Sequence, residues 1–399
     1  MYISRSHGAE HFRYNERTVE SMNIPFHKPW YDKDDEAALV AALRSGKIVG
    51  DGENTRRASE QLARLLGVKT ALLTPSCSHA LELAMMVLRL KPGDEVIVPS
   101  FTFVSTTNCV LRQGATLAFA DILPTTLTLD VEDVRKRITP RTKAIVPVVY
   151  AGVAPEMDEL TALAREHNIV IVEDAAQALG ASYREQPLGT IGDMGCFSFH
   201  ETKNLSTGEG GAFVTNNEEY AARAEIIREK GTNRKQFMLH LVDKYTWVDV
   251  GGSFLPPDLV GALLCSQLSK LTEIQTQRER IHKRYMNALK HLADSEQLTL
   301  PTIPEHTRSN HHIFYVLMKD EETRNKGLTF FKDHNVGATF HYLPLHLAPV
   351  GRRLGGKPGD LPVTESVSGR LLRLPIYPAL TEAEQEHVVE TMNAFFKIH

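Results

Sequence analysis

Between residues 68 and 215 the chain alternates short apolar runs with helical stretches, and this constrains the fold more than any other feature. Residues 71–74, 95–98, 117–120, 144–147 and 169–172 are rich in Val, Ile, Leu and Ala and read as buried strands. Residues 80–90 and 157–167 carry helical patterns between them. Strands apolar on both faces, separated by helices, imply an α/β fold with a mostly parallel sheet covered on both sides. In such sheets ligands gather beyond the carboxyl ends of the strands. Residues 74–78, 99–103 and 174–177 each follow a strand directly, so they are expected to converge on one site.

The pattern changes after Pro257. Residues 259–292 form a long amphipathic helical stretch, expected to lead into a smaller C-terminal domain with a strand near 313–317 and helices near 328–334 and 382–396. Residues 351–362, rich in Gly, Pro and Arg, read as an exposed loop. The expected organisation is a flexible extension over 1–22, a large domain over 23–256, and a linking helix with a small α+β domain over 257–399.

Composition narrows the class. Lys and Arg number 45 against 49 Asp and Glu, a formal charge of −4, so no broad basic surface is available for nucleic acid or an anionic membrane. No run reaches the roughly 18 apolar residues of a membrane span. Cys77, Cys109, Cys196 and Cys265 lie far apart, which argues against a metal cluster or a disulfide framework and suits a reducing cytoplasm. No metal site is expected.

Lys203 is the residue on which function turns. Phe197 and Phe199 alternate with Ser198 and His200, as in a half-buried strand carrying Lys203 to a pocket, and Gly208, Gly210 and Gly211 allow a turn back into the sheet. About thirty residues upstream, Asp174 ends a strongly apolar strand, where an unpaired charge is costly. A lysine amine can form a Schiff base with an aldehyde cofactor, and an aspartate can keep a pyridine nitrogen protonated. The pair points to pyridoxal phosphate, with a helix N-cap as the plainer reading of Asp174. Gln177 lies near enough to reach the cofactor's phenolic oxygen. Cys77 and Ser78 open a helix, where free N–H groups suit a phosphate, and Ser198 is a second candidate donor. Phe103 follows a strand and could stack on the ring or simply pack in the core.

Several stretches carry a resemblance: Gly50-Asp51-Gly52, Leu73-Thr74-Pro75-Ser76-Cys77, Ser198-Phe199-His200-Glu201-Thr202-Lys203-Asn204, Arg228-Glu229-Lys230-Gly231-Thr232-Asn233-Arg234 and Phe340-His341-Tyr342-Leu343-Pro344-Leu345-His346. From about Asn23 onward the chain resembles the DegT/DnrJ/EryC/StrS sugar-nucleotide aminotransferases of the type I aspartate-aminotransferase fold. Within that family it looks most like enzymes that make dTDP-4-amino-4,6-dideoxygalactose for surface polysaccharides. The resemblance implies Lys203 as the Schiff-base lysine, Asp174 on the ring nitrogen, Gln177 on the ring oxygen, Cys77, Ser78 and Ser198 at the phosphate, and Phe103 stacked on the ring. Many relatives have Gly-x-Asn-x-Arg where this chain reads Gly251-Gly252-Ser253-Phe254-Leu255, so Ser253 replaces an asparagine that reaches a partner's phosphate.

The resemblance further implies L-glutamate as amino donor, pyridoxamine phosphate as the intermediate form of the cofactor, a nucleotide-linked keto-sugar as acceptor, and a homodimer or higher homo-oligomer with shared active sites. Arg228 and Lys235 form a basic cluster of the right sign for the sugar nucleotide's diphosphate, and His341, Tyr342 and His346 are candidates for the sugar pocket. A related sugar dehydratase would replace the lysine or add clustered cysteines, and this chain does neither. A non-catalytic regulator would lose Lys203 or Asp174. A dinucleotide-binding enzyme lacks support, because no Gly-x-Gly-x-x-Gly follows the first strand.

Overall fold

The computed structural model describes residues 22–398. The extension expected over 1–22 therefore lies, apart from Met22, outside the described residues. A seven-stranded sheet dominates: β1 (Thr70–Thr74), β2 (Glu95–Pro99), β3 (Thr116–Ala120), β4 (Thr142–Ile145), β5 (Val170–Asp174), β6 (Met194–Ser198) and β7 (Gly211–Thr215). Their spatial order is β1-β7-β6-β5-β4-β2-β3. All pairings from β3 to β6 are parallel, and only β7 runs against its neighbours.

Successive strand residues feed two separate cores, which is why the runs are apolar without alternation. Leu73, Ile97, Ile171 and Phe197 pack under the helices Glu53–Leu66 and Met157–His167. Leu72, Val96, Val98, Val172 and Cys196 pack under Cys77–Val87 and Glu218–Arg228 on the other face. The four cysteines are all buried and free.

The long helical stretch expected over 259–292 is three helices, Asp258–Ser269, Leu271–Ala288 and Lys290–Asp294. The first packs on Glu53–Leu66, where Asp258 accepts hydrogen bonds from the backbone N–H and hydroxyl of Thr55, both at 2.7 Å. Beyond it, β8 (Leu298–Thr299), β9 (Phe314–Met318) and β10 (Leu371–Leu374) form an antiparallel sheet in that order. The helices Glu321–Asp333 and Glu382–Ile398 cover it through Phe331, Val388, Met392 and Phe395. Part of the expected 351–362 loop is helical, within Pro349–Arg353.

Candidate active site

The carboxyl ends of β1, β2, β5 and β6 open on one cavity of about 400 Å³. Its lining includes Cys77, Ser78, Phe103, Asp174, Gln177, Ser198, Lys203, His341 and Tyr342, which the sequence had nominated from five separate segments. A helix starts at the foot of β1, where Ser76 caps the N-terminus by accepting from His79 N–H. Gly211 at the start of β7 is required for this approach: a Cβ there would lie 2.4 Å from Cys77 N. The free N–H groups of that first turn, with Ser78 and Ser105 hydroxyls 2.6 Å apart, are donors of the kind a phosphate requires.

Asp174 stands at the end of β5 with its carboxylate buried. No helix begins there, so the N-cap reading fails, although Ala176 N–H donates to Oδ1 at 3.2 Å. Thr106 Oγ1 donates to Oδ2 at 2.7 Å and takes part in a second hydroxyl contact with Thr102. Burial raises the pKa of Asp174, against the opposing pull of Thr106, the Ala176 N–H and the Lys203 charge. Lys203 sits on the loop between β6 and β7. Burial lowers its pKa to about 8, opposed by Cys77 and Asp174. A lysine with that pKa supplies free amine near neutrality, as a nucleophile or proton carrier needs.

Gln177 is held at both ends of its amide: Oε1 accepts from Ala151 N–H at 2.8 Å, and Nε2 donates to Tyr342 Oη at 3.1 Å. Tyr342 stacks on His341, with ring centroids 3.9 Å apart. Phe103 is not core, being 59% exposed at the cavity rim. Arg373 on β10, far from any recognised motif, also lines the cavity. Its Nη1 donates to His341 Nε2 at 2.5 Å, its guanidinium lies over Phe26, and its buried Nε has no hydrogen-bond partner. Among the described residues no carboxylate forms an ion pair with it.

Four nominated residues are not brought to this cavity. His346 is buried between Ser100 Oγ, 2.7 Å from Nδ1, and Glu365, 3.1 Å from Nε2; it fastens the segment around Glu365 to the loop after β2. Arg228 and Lys235 line a second cavity. Arg228 donates to both carboxylate oxygens of Asp51 at 2.8 Å and to Leu73 O at 3.0 Å, while Lys235 pairs with Glu225 at 2.5 Å. Their charges are already met by neighbouring acids, which corrects the expectation of a free diphosphate cluster. Ser253 is exposed, bridges to Glu229 and does not line the cavity of its own chain.

The sequence profile of the DegT/DnrJ/EryC1/StrS aminotransferase family matches residues 29–393. The chain belongs to that family. It is 34% identical over 383 residues to the Bacillus subtilis spore coat polysaccharide biosynthesis protein SpsC, covering 94% of this chain and 97% of the relative. It is 36% identical over 386 residues to an uncharacterised protein of Methanocaldococcus jannaschii, covering 95% and 98%. The fold superposes on Spr1654 of Streptococcus pneumoniae, a candidate sugar aminotransferase, in its PMP form with a TM-score of 0.88, 27% identity and coverage of 94% and 98%.

As a DegT/DnrJ/EryC1/StrS aminotransferase, the protein has the type I fold and uses pyridoxal phosphate. The cavity fits that group, since the N–H groups and hydroxyls of a helix start, the buried carboxylate of Asp174 and the buried amine of Lys203 all line it. When bound, the cofactor supplies the electron sink that stabilises charge on the carbon losing a proton.

Proposed function

We propose that this aminotransferase moves the amino group of L-glutamate to a dTDP-4-keto-6-deoxyhexose, giving a dTDP-4-amino-4,6-dideoxy-sugar of galactose configuration for surface polysaccharide. The observation that carries the amino-transfer part is Lys203, a buried amine with a pKa near 8, in one cavity with the buried carboxylate of Asp174. Lys203 holds and returns the mobile proton. Asp174 would hold a positive charge on the ring nitrogen, and Gln177 would orient the ring oxygen from an amide fixed at both ends. Ser78, Ser198 and the Cys77 N–H take the phosphate, and Phe103 at the rim covers the ring.

Arg373 supports an acidic amino donor. A buried guanidinium with an unpaired N–H lowers its energy by taking a carboxylate in bidentate fashion. Lys203 and Arg373 line the same cavity, so a carboxylate on the amine-bearing carbon has a cation within the site. His341 and Tyr342 then border the sugar.

The polysaccharide role of SpsC and the sequence stretches that resemble dTDP-sugar transaminases favour a nucleotide-linked acceptor. Incubation with dTDP-4-keto-6-deoxyglucose and glutamate, followed by NMR of the product, tests the reading. An axial amine at C4 is expected. An equatorial amine overturns the configuration, and an amine at C3 overturns the position.

A homodimer belongs to the same proposal. Leu241, Trp247 and Val250 are 70%, 74% and 67% exposed on one segment beside Ser253, an apolar surface suited to a second copy. That placement would let Ser253 reach the partner's phosphate.

A further inference from the structure

Among the described residues Arg373 meets no carboxylate, yet one hydrogen bond to it is short: Nη1 donates to His341 Nε2 at 2.5 Å. Local pairing brings the two together. Thr339 and Arg373 form an antiparallel bridge, with Thr339 N–H donating to Arg373 O at 3.3 Å and Arg373 N–H to Thr339 O at 2.7 Å. Alternate residues of an extended segment share a face, so His341, two places beyond Thr339, is the diagonal neighbour of Arg373. Both residues line the Lys203 cavity.

The contact fixes the state of the imidazole. A guanidinium can only donate, so His341 Nε2 must offer its lone pair. The proton of the neutral ring then sits on Nδ1, which lies 3.3 Å from Tyr150 Oη. Burial first, then the charges of Arg373 and Lys203, oppose a second proton. Tyr342 stacks on the imidazole, with centroids 3.9 Å apart and planes inclined by 12°. The Tyr342 hydroxyl is itself held by Gln177 Nε2 at 3.1 Å. The imidazole is thus fixed in its plane by two hydrogen bonds and from one side by a ring. Neither of its nitrogens is left for a sugar hydroxyl.

The same hold decides which part of the guanidinium stays open. Nη1 is turned to His341, and one face of the cation lies over Phe26, 4.6 Å from the ring centroid. Nε is buried without a partner, and Nη2 beside it makes no hydrogen bond among the described residues. Nη2 is therefore the nitrogen that remains for an incoming carboxylate. A long arginine without this anchor would have several rotamers to choose from, and ordering it would weaken binding.

We propose that His341 is a positioning residue for Arg373: by accepting from Nη1 it holds the guanidinium in place with Nη2 free for the donor's carboxylate. His341 therefore sets how well the amino donor is used, while the sugar acceptor is indifferent to its ring nitrogens. No covalent step is added. The consequence for the donor rests on the amino-transfer reading; the Arg373–His341 hydrogen bond does not.

Two measurements test it. In apoprotein labelled with 15N-histidine, the His341 signals, assigned by their loss in His341→Gln, should show a protonated Nδ1 and an unprotonated Nε2 between about pH 6 and 9. Arg373→Met should shift the Nε2 resonance. A protonated Nε2, or one indifferent to Arg373→Met, overturns the proposal. In the holoenzyme, His341→Phe keeps a ring against Tyr342 and removes the acceptor. It should lower kcat/KM for glutamate by about tenfold or more, with kcat/KM for the keto-sugar and cofactor content within about twofold of wild type. His341→Gln, which keeps an acceptor, should recover part of the loss. Added to Arg373→Met, His341→Phe should change kcat/KM for glutamate by less than about twofold, because the group it positions is gone. An unaltered glutamate kcat/KM in His341→Phe, or an undiminished further loss in the Arg373→Met background, overturns the proposal. An unaltered glutamate kcat/KM in Arg373→Met itself would instead refute the donor role of Arg373, with the resonance test still standing.

Discussion

Thr106 donates a 2.7 Å hydrogen bond to Asp174 Oδ2, and both side chains are buried at the carboxyl edge of the sheet. Thr106 is thus one of the few groups that oppose the rise in Asp174 pKa caused by burial. Removing it should weaken the carboxylate's hold on positive charge. Thr106→Val is expected to lower kcat/KM by about 10- to 100-fold, the range for a hydrogen bond to a charged group. Thr106→Ser should restore most of it. Steady-state kinetics on the three proteins checks this.

The same burial makes Asp174 a liability to the apoprotein. Its folded pKa is raised, so across the window between unfolded and folded values the native state binds more protons. Stability of the apoprotein therefore falls as pH rises through that window. Asp174→Asn should raise the melting temperature of the apoprotein at neutral pH, change it little at acid pH, and remove activity. Thermal melts across pH decide the point.

Lys203 behaves in the opposite sense. Its folded pKa is lowered to about 8 from 10.5, so between those values the unfolded chain binds more protons. The group's unfavourable contribution is fully present below the folded value and relaxes as pH rises toward the unfolded one. Apoprotein stability should rise across that interval, and Lys203→Met should abolish the rise. Acylation of the free amine should show a midpoint near the same pKa.

Arg373→Met should raise the glutamate KM by about 10- to 100-fold while leaving cofactor content intact, because it removes a charge-assisted pair to the donor. A change in cofactor content with an unaltered donor KM would place Arg373 elsewhere in the cycle.

Much of the fold was legible because the strands feed two cores and need no alternation to declare themselves. The expected run 95–98 is β2, Glu95–Pro99, and 169–172 falls largely in β5, Val170–Asp174. Lys203, Asp174 and Gln177 were legible because each follows a strand whose end the topology places on one edge. Arg373 was not, since the residues it meets, Phe26 and His341, lie on other segments of the chain. One signal was present for Arg373: a lone cation inside the apolar run Leu371-Leu372-Arg373-Leu374 is costly unless something meets it. His346 misled because its partners, Ser100 and Glu365, lie on separate segments. The basic run from Arg228 misled likewise, since its acids, Asp51 and Glu225, are visible only in the fold.

Asp51 shows what that second cluster does. Arg228 is buried against it, so Asp51→Ala removes its 2.8 Å partner and leaves the guanidinium only the more distant Glu225, at 3.7 Å. A loss of about 3 kcal/mol in unfolding free energy is expected, measured by denaturant titration.

The central claim is that Lys203 is the amine that carries the cofactor. The protein loaded with pyridoxal phosphate, reduced with borohydride and digested, reports this directly by mass spectrometry. The account predicts a phosphopyridoxyl group on Lys203, absent after prior incubation with glutamate. A label on another lysine, or none on Lys203, would contradict it.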